Sequence, residues 1–178
     1  MNSREYIASY PAKVERLAER LSVACAKLSD EQFNAVPPNW HWSPAQIIQH
    51  MLITNRGYIP VVEQAIEDGI EGNGQLKHTW LAKILLKMTG PGGNAKAPKF
   101  LHPTKKPYTR EIIDEWTDQH REIAKLARDA NGIDLSRTKF RNPYFKAFRM
   151  NLYDAFEAVR LHAERHVGQI ESIAAKVS

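Results

Sequence analysis

The run Arg160-Leu161-His162-Ala163-Glu164-Arg165-His166-Val167-Gly168-Gln169-Ile170 decides how this chain folds. Its two histidines stand four residues apart in a strongly helical segment. On an α-helix, residues four apart lie one above the other on one face. Phe156, Val159, Ala163, Ile170, Ile173 and Val177 recur at helical spacing on the same side and form an apolar stripe. The stripe turns both imidazoles inward, where a histidine without a partner is costly. So placed, they can grip one metal ion, provided a third ligand arrives from another element.

Upstream of the pair, Asn151 is an N-cap with Asp154 at its third position. The spacing predicts a helix from there nearly to the C-terminus. Three earlier segments share the period. The first, Ser3 to Leu28, buries Ile7, Tyr10, Val14, Leu17, Leu21, Ala24 and Leu28, with Pro11 bending it or marking its first turn. The second opens on Ser43, Pro44 and Gln46, a capping box with proline at the first helical position. It presents Ile47, Met51, Thr54, Tyr58, Val62 and Ala65, with His50 bordering that face, and ends near Gly69; Pro60 and Gly57 predict a kink. The third runs from Thr109 to Ala130 and turns Ile113, Trp116, His120, Ile123, Ala127 and Ala130 inward, with Asn131-Gly132 as its stop.

Between these lie three connections. Residues 29–42 read as a loop in which Trp40 and Trp42 plug the end of a core more readily than they line a pocket mouth. Residues 69–108 are a long crossover with a short helical piece from Thr79 to Met88. Its glycines lack the glycine-lysine-serine/threonine ending of a phosphate loop. Residues 133–150 are basic and aromatic, yet too short and too poor in module signatures for nucleic-acid binding, so their rings are expected to pack on the helices. No strand is expected. The chain is therefore read as all-α, a single domain over residues 1–178: a four-helix bundle with one long crossover, helices two and three parallel and helix four antiparallel to helix two. In that frame His50 meets His162 and His166, and all three can share one ion.

Bulk properties bound the function. The net charge is +5, compatible with anionic partners without requiring them. The lone cysteine, Cys25, sits on an apolar stripe and reads as packing. The N-terminus has no signal-peptide pattern and no apolar run is long enough to span a membrane, so a cytoplasmic location and no membrane partner are expected.

Two motifs carry a family resemblance. Trp42-Ser43-Pro44-Ala45-Gln46-Ile47-Ile48-Gln49-His50 and His162-Ala163-Glu164-Arg165-His166-Val167-Gly168-Gln169-Ile170 resemble, in order and spacing, the two histidine motifs of the DinB-like superfamily, which is described together with YfiT-like metal-dependent hydrolases. The resemblance implies an up-down-down-up bundle and a divalent ion, commonly nickel or zinc, on His50, His162 and His166. It also implies a small-molecule substrate, with thiol S-transferase activity using a low-molecular-weight thiol cosubstrate, or hydrolysis, among the activities expected, and a homodimer. The central crossover matches no subgroup.

Other metal templates fit poorly. Ala163 stands where a zinc-protease helix needs glutamate, and no helical histidine has a glutamate three residues before it, as di-iron bundles require. Glu164 is expected to face water. His120, turned inward, is a further candidate ligand or partner. Gln169 either orients a ligand or packs at the helix edge. His41, His78 and His102 are read as solvated loop residues. A non-catalytic binding protein, held together by its ion, stays open beside the enzyme, with a basic nucleic-acid module third.

Overall fold

Asn2 and Glu5 close a capping box at the head of the first helix, α1 (Ser3–Ala26). The computed structural model describes residues 1–177; the side chain of Val177, which ends the predicted stripe, lies outside the described residues. Five more helices follow: α2 (Asp30–Asn34), α3 (Pro44–Glu67), α4 (Trp80–Thr89), α5 (Glu111–Asp129) and α6 (Leu152–Val177). Each of the long helices α1 and α3 packs against both α5 and α6. No helix among the described residues is long and apolar enough to cross a membrane.

The predicted inward faces are buried almost throughout. All seven residues chosen on α1 and its extension to Leu28 are in the core, and on α3 only Thr54 is half exposed. Pro11 and Pro60 lie inside α1 and α3, both of which continue through them. Helix ends fall one or two residues short of those expected, as the capping geometry dictates: α1 ends at Ala26, α3 at Glu67 and α5 at Asp129.

Several contacts show which helix ends meet. The Tyr10 hydroxyl donates to the Phe156 carbonyl at 3.1 Å, and Arg20, further along α1, reaches Glu171 at 2.8 Å and also pairs with Glu164. Glu164, whose side chain is 32% exposed, thus ties α1 to α6 at the protein's edge. Arg110, before α5, donates to the Cys25 carbonyl at 2.9 Å, at the tail of α1. Gln119 of α5 donates to the Leu52 carbonyl of α3 at 3.3 Å.

Two expectations about connections are corrected. Residues 29–42 contain α2, opened by a capping box between Ser29 and Gln32. The segment expected to be a loop over residues 133–150 instead forms, with Asn151, a hairpin, β1 (Lys139–Arg141) paired antiparallel with β2 (Arg149–Asn151). Met150 is buried and Phe140 half-buried, so the hairpin is anchored by its rings and sulfur, with cations turned outward. The strands are only three residues each, too short for an alternating pattern to stand out.

Tyr144, in the hairpin loop, lies against α3 and its hydroxyl donates to the Thr54 carbonyl at 2.6 Å. A β-carbon on Gly57 would fall inside the Tyr144 ring and hydroxyl. Gly57 is therefore a place where another chain segment touches the helix backbone. Gly57→Ala gains about 1 kcal/mol of helix propensity but must displace Tyr144, which costs about 1–3 kcal/mol. Chemical denaturation is expected to show net destabilisation in the wild-type background. With Tyr144→Ala present, the same change becomes neutral or stabilising; equal effects in both backgrounds would contradict the contact.

The apolar core divides into two clusters. One gathers Tyr6, Tyr10, Tyr58, Met150 and Phe156; the other gathers Leu21, Phe33, Trp116, Val167 and Ile170. On α6 the division falls between Val159 and Ala163, at His162.

Candidate metal centre

Two caps place the histidines. The Ser43 hydroxyl accepts from the Gln46 amide at 3.2 Å while Gln46 Oε1 accepts from the Ser43 amide at 3.0 Å, fixing the start of α3 and setting His50 two turns in. At the head of α6, the Asp154 amide donates to Asn151 Oδ1 at 2.8 Å. The fully buried Asp154 carboxylate also accepts from His78 Nδ1 and from the Thr79 hydroxyl, both at 2.8 Å, which ties the crossover to α6. His78, stacked on Tyr153, is therefore a structural tie and not the solvated residue expected.

The structure brings His50, His162 and His166 together; one ligand nitrogen from each lies within 4.8 Å of the others. His162 Nε2 is 3.2 Å from His50 Nε2 and 3.0 Å from His166 Nε2. Outer partners orient two of the rings. His50 Nδ1 donates to the Leu101 carbonyl at 2.8 Å, and His166 Nδ1 to Gln169 Oε1 at 2.7 Å. A carbonyl oxygen only accepts, so both rings carry their proton on Nδ1 and turn a bare Nε2 lone pair toward His162. A proton on His162 Nε2 can serve only one of them well. A cation satisfies all three lone pairs at once. Two metal–nitrogen bonds of about 2.0–2.1 Å, between a right and a tetrahedral angle apart, hold their nitrogens about 2.8–3.4 Å from each other. Both separations from His162 fall in that range, so the residues present fit a divalent ion.

Burial keeps the three rings neutral, the state a metal needs. It lowers His50 against a raising effect from the Leu101 carbonyl, and it lowers His162 well below the ordinary range, helped by His166 and His50. Burial and then His50 bring His166 down to about 3, against the Gln169 bond. Cys25 takes no part: it is fully buried at the end of α1, and burial pushes its thiol up to about 12.

His120 does not join the cluster. Its Nδ1 donates to the Trp116 carbonyl at 3.1 Å, its ring lies 3.8 Å from the Trp116 ring, and its Nε2 is buried without a partner. Gln169 orients a candidate ligand, one of the two roles the sequence left open. Gln169→Leu removes that acceptor and is expected to weaken metal binding about 10–100-fold, read by competition with a coloured chelator. Unchanged affinity would contradict the orienting role.

The centre opens on a cavity of about 780 Å³. Trp40 and Trp42 line it, the less favoured of the two roles weighed for them, and both also touch the second core cluster, as a plug would; Trp42 sits 4.7 Å from the His50 ring. Tyr58, Tyr144, Phe145 and Leu85 add apolar wall, and His41 and His102 also line it. Its cations are Lys96, Lys99 and Arg165, and no carboxylate is among the described residues that line it. Sequence reasoning missed this lining, because crossover residues 94–102 carry no periodicity to announce which way they face. The Leu101 carbonyl, a backbone atom, leaves no mark in a sequence at all.

A mainly helical chain with a largely buried cluster of three imidazoles beside a cavity defines a class: helical proteins with a histidine group that could hold a divalent ion. The chain belongs to the DinB superfamily, whose family model matches residues 13–170. Comparisons with curated proteins and with solved structures give no match.

Proposed function

We propose that this chain is a metal-dependent enzyme acting on a small molecule, a thiol S-transferase or a hydrolase, with His50, His162 and His166 as the ligands of zinc or nickel. The observation that carries the reading is the convergence of three Nε2 atoms, at 3.0 and 3.2 Å from His162 outward, beneath a cavity large enough for a substrate. Three neutral imidazoles suit either ion. When bound, such an ion keeps its full 2+ charge, which draws the pKa of a thiol or water toward neutrality.

The chain's own residues do the rest. Trp40, Trp42, Tyr58 and Phe145 shed water from an apolar substrate body. Lys96, Lys99 and Arg165 attract an anionic group, such as the carboxylate of a low-molecular-weight thiol cosubstrate, and no lining carboxylate opposes them. The arrangement is read as a single-domain, up-down-down-up four-helix bundle of α1, α3, α5 and α6. The pairings of Tyr10 with Phe156, Arg20 with Glu171, Arg110 with Cys25 and His50 with His162 support it.

The test is turnover by zinc- and nickel-loaded protein across a panel of small thiols with electrophilic acceptors, and of hydrolysable esters and amides. Metal-dependent turnover that is absent in the stripped protein is the expected result. Loaded protein inert across the whole panel would contradict the enzyme and leave a metal-binding role.

A further inference from the structure

Between Glu71 and Glu111 the chain has no aspartate or glutamate, while it carries seven lysines and Arg110. The chain as a whole is +5, so this segment accounts for more than the entire net charge and the remainder is −3. Lys77, Lys83, Lys87, Lys96, Lys99, Lys105 and Lys106 are all exposed, and no carboxylate among the described residues pairs with any of them.

The same segment holds much of the exposed apolar surface. Trp80 is 73% exposed, Leu81 44%, Ile84 43% and Met88 46%. At about 100° per residue, these four occupy one arc of α4. Lys83 and Lys87 lie beside that arc. Ala82 and Leu86 lie on the opposite side, buried, where α4 packs on α6. Helix α4 therefore has two apolar faces, one packed on α6 and one covered by nothing among the described residues.

We propose that the outer face of α4 docks on an anionic lipid surface. Its layout is that of an interfacial helix: tryptophan and aliphatic side chains on the face that enters the boundary, lysines alongside it to meet headgroups. The expected lack of a membrane partner followed from the lack of a spanning segment, which a helix lying in the interface does not need. A second copy of the chain is a poor occupant, since a symmetric pair would set two wholly cationic segments against each other. Nucleic acid would use the lysines but has no use for Leu81, Ile84 and Met88. Leu85 and Thr89 of the same helix line the cavity over the metal centre, so a docked α4 would stand as a wall between the lipid surface and that cavity. The proposal does not depend on whether the centre holds a metal.

Co-sedimentation of the full chain with vesicles tests it. Binding is expected to mixed phosphatidylcholine–phosphatidylglycerol vesicles and at least about tenfold less to phosphatidylcholine alone, falling as salt rises. Replacing Lys83 and Lys87 together with glutamine is expected to weaken binding about 25-fold, from about fivefold for each charge. Trp80→Ala with Ile84→Ser is expected to weaken it by about tenfold or more at unchanged charge. All four side chains are exposed, and unchanged thermal melting of both variants confirms that the fold is intact. The proposal is overturned by absence of binding, by equal binding to neutral vesicles, or by vesicle binding that either variant leaves unchanged. It is equally overturned if the wild type is a dimer in solution that Trp80→Ala with Ile84→Ser dissociates, or if both variants lose an oligonucleotide in step with vesicles.

Discussion

Replacing His162 with alanine is expected to strip the centre of divalent metal. His162 is the ring that both others touch, at 3.2 Å from His50 and 3.0 Å from His166, so its loss leaves two nitrogens and no third direction of attachment. Loss of an outer partner of a metal-bound histidine already costs about 10–100-fold in affinity. Loss of the ligand itself is expected to cost at least about 100-fold. The check is metal content after dialysis, together with calorimetric titration of zinc into wild type and variant. The Leu101 and Gln169 bonds orient His50 and His166 and are untouched by the change, so the weakened site reports the missing ring and not a collapsed neighbourhood. Equal metal in both proteins would refute the three-histidine centre.

The second large effect is acid sensitivity of the metal-free protein. His120 is almost fully buried, its Nε2 has no partner, and burial lowers its pKa from 6.5 to about 4. The folded pKa lies below the unfolded one, so the unfolded chain takes up the proton first. The contribution is fully present above pH 6.5 and is lost as pH falls toward about 4. A difference of that size corresponds to about 3 kcal/mol from this one ring. His50, His162 and His166 are lowered as well and act in the same direction. Denaturant unfolding at about pH 7.5 and about pH 4.5 reads the effect. Relative to wild type, His120→Leu is expected to gain about 2 kcal/mol on going from the higher to the lower pH. The same difference at both values would show that His120 does not titrate as a buried neutral ring.

The sequence showed the long helices because each carries an uninterrupted apolar period over five or more turns, with Ser43, Pro44 and Gln46 or Asn151 and Asp154 marking two starts. The histidines were legible for the same reason: spacing on a helix is spacing in space, so His162 and His166 had to share a face. The short elements were harder. In the hairpin, Lys139–Arg141 sets one part-buried ring between two exposed cations and Arg149–Asn151 shows no alternation at all, so over three residues each strand is indistinguishable from a loop. Helix α2 did carry its mark, since Ser29 and Gln32 form a capping box three residues apart. What no local pattern encodes is long-range company. His78 is tied to Asp154 across 76 residues, and Glu164 to Arg20 across 144. The residues of 94–102 acquire a function as cavity wall only once the crossover is folded over α3.

Three imidazole nitrogens meeting one ion are the heart of the proposed centre, and X-ray absorption at the metal edge of the zinc-loaded protein tests them most directly. The spectrum is expected to show about three histidine rings with nitrogen near 2.0–2.1 Å, leaving room for one or more exchangeable light ligands. A first shell containing sulfur, or one without the outer-ring scattering of imidazole, would contradict it.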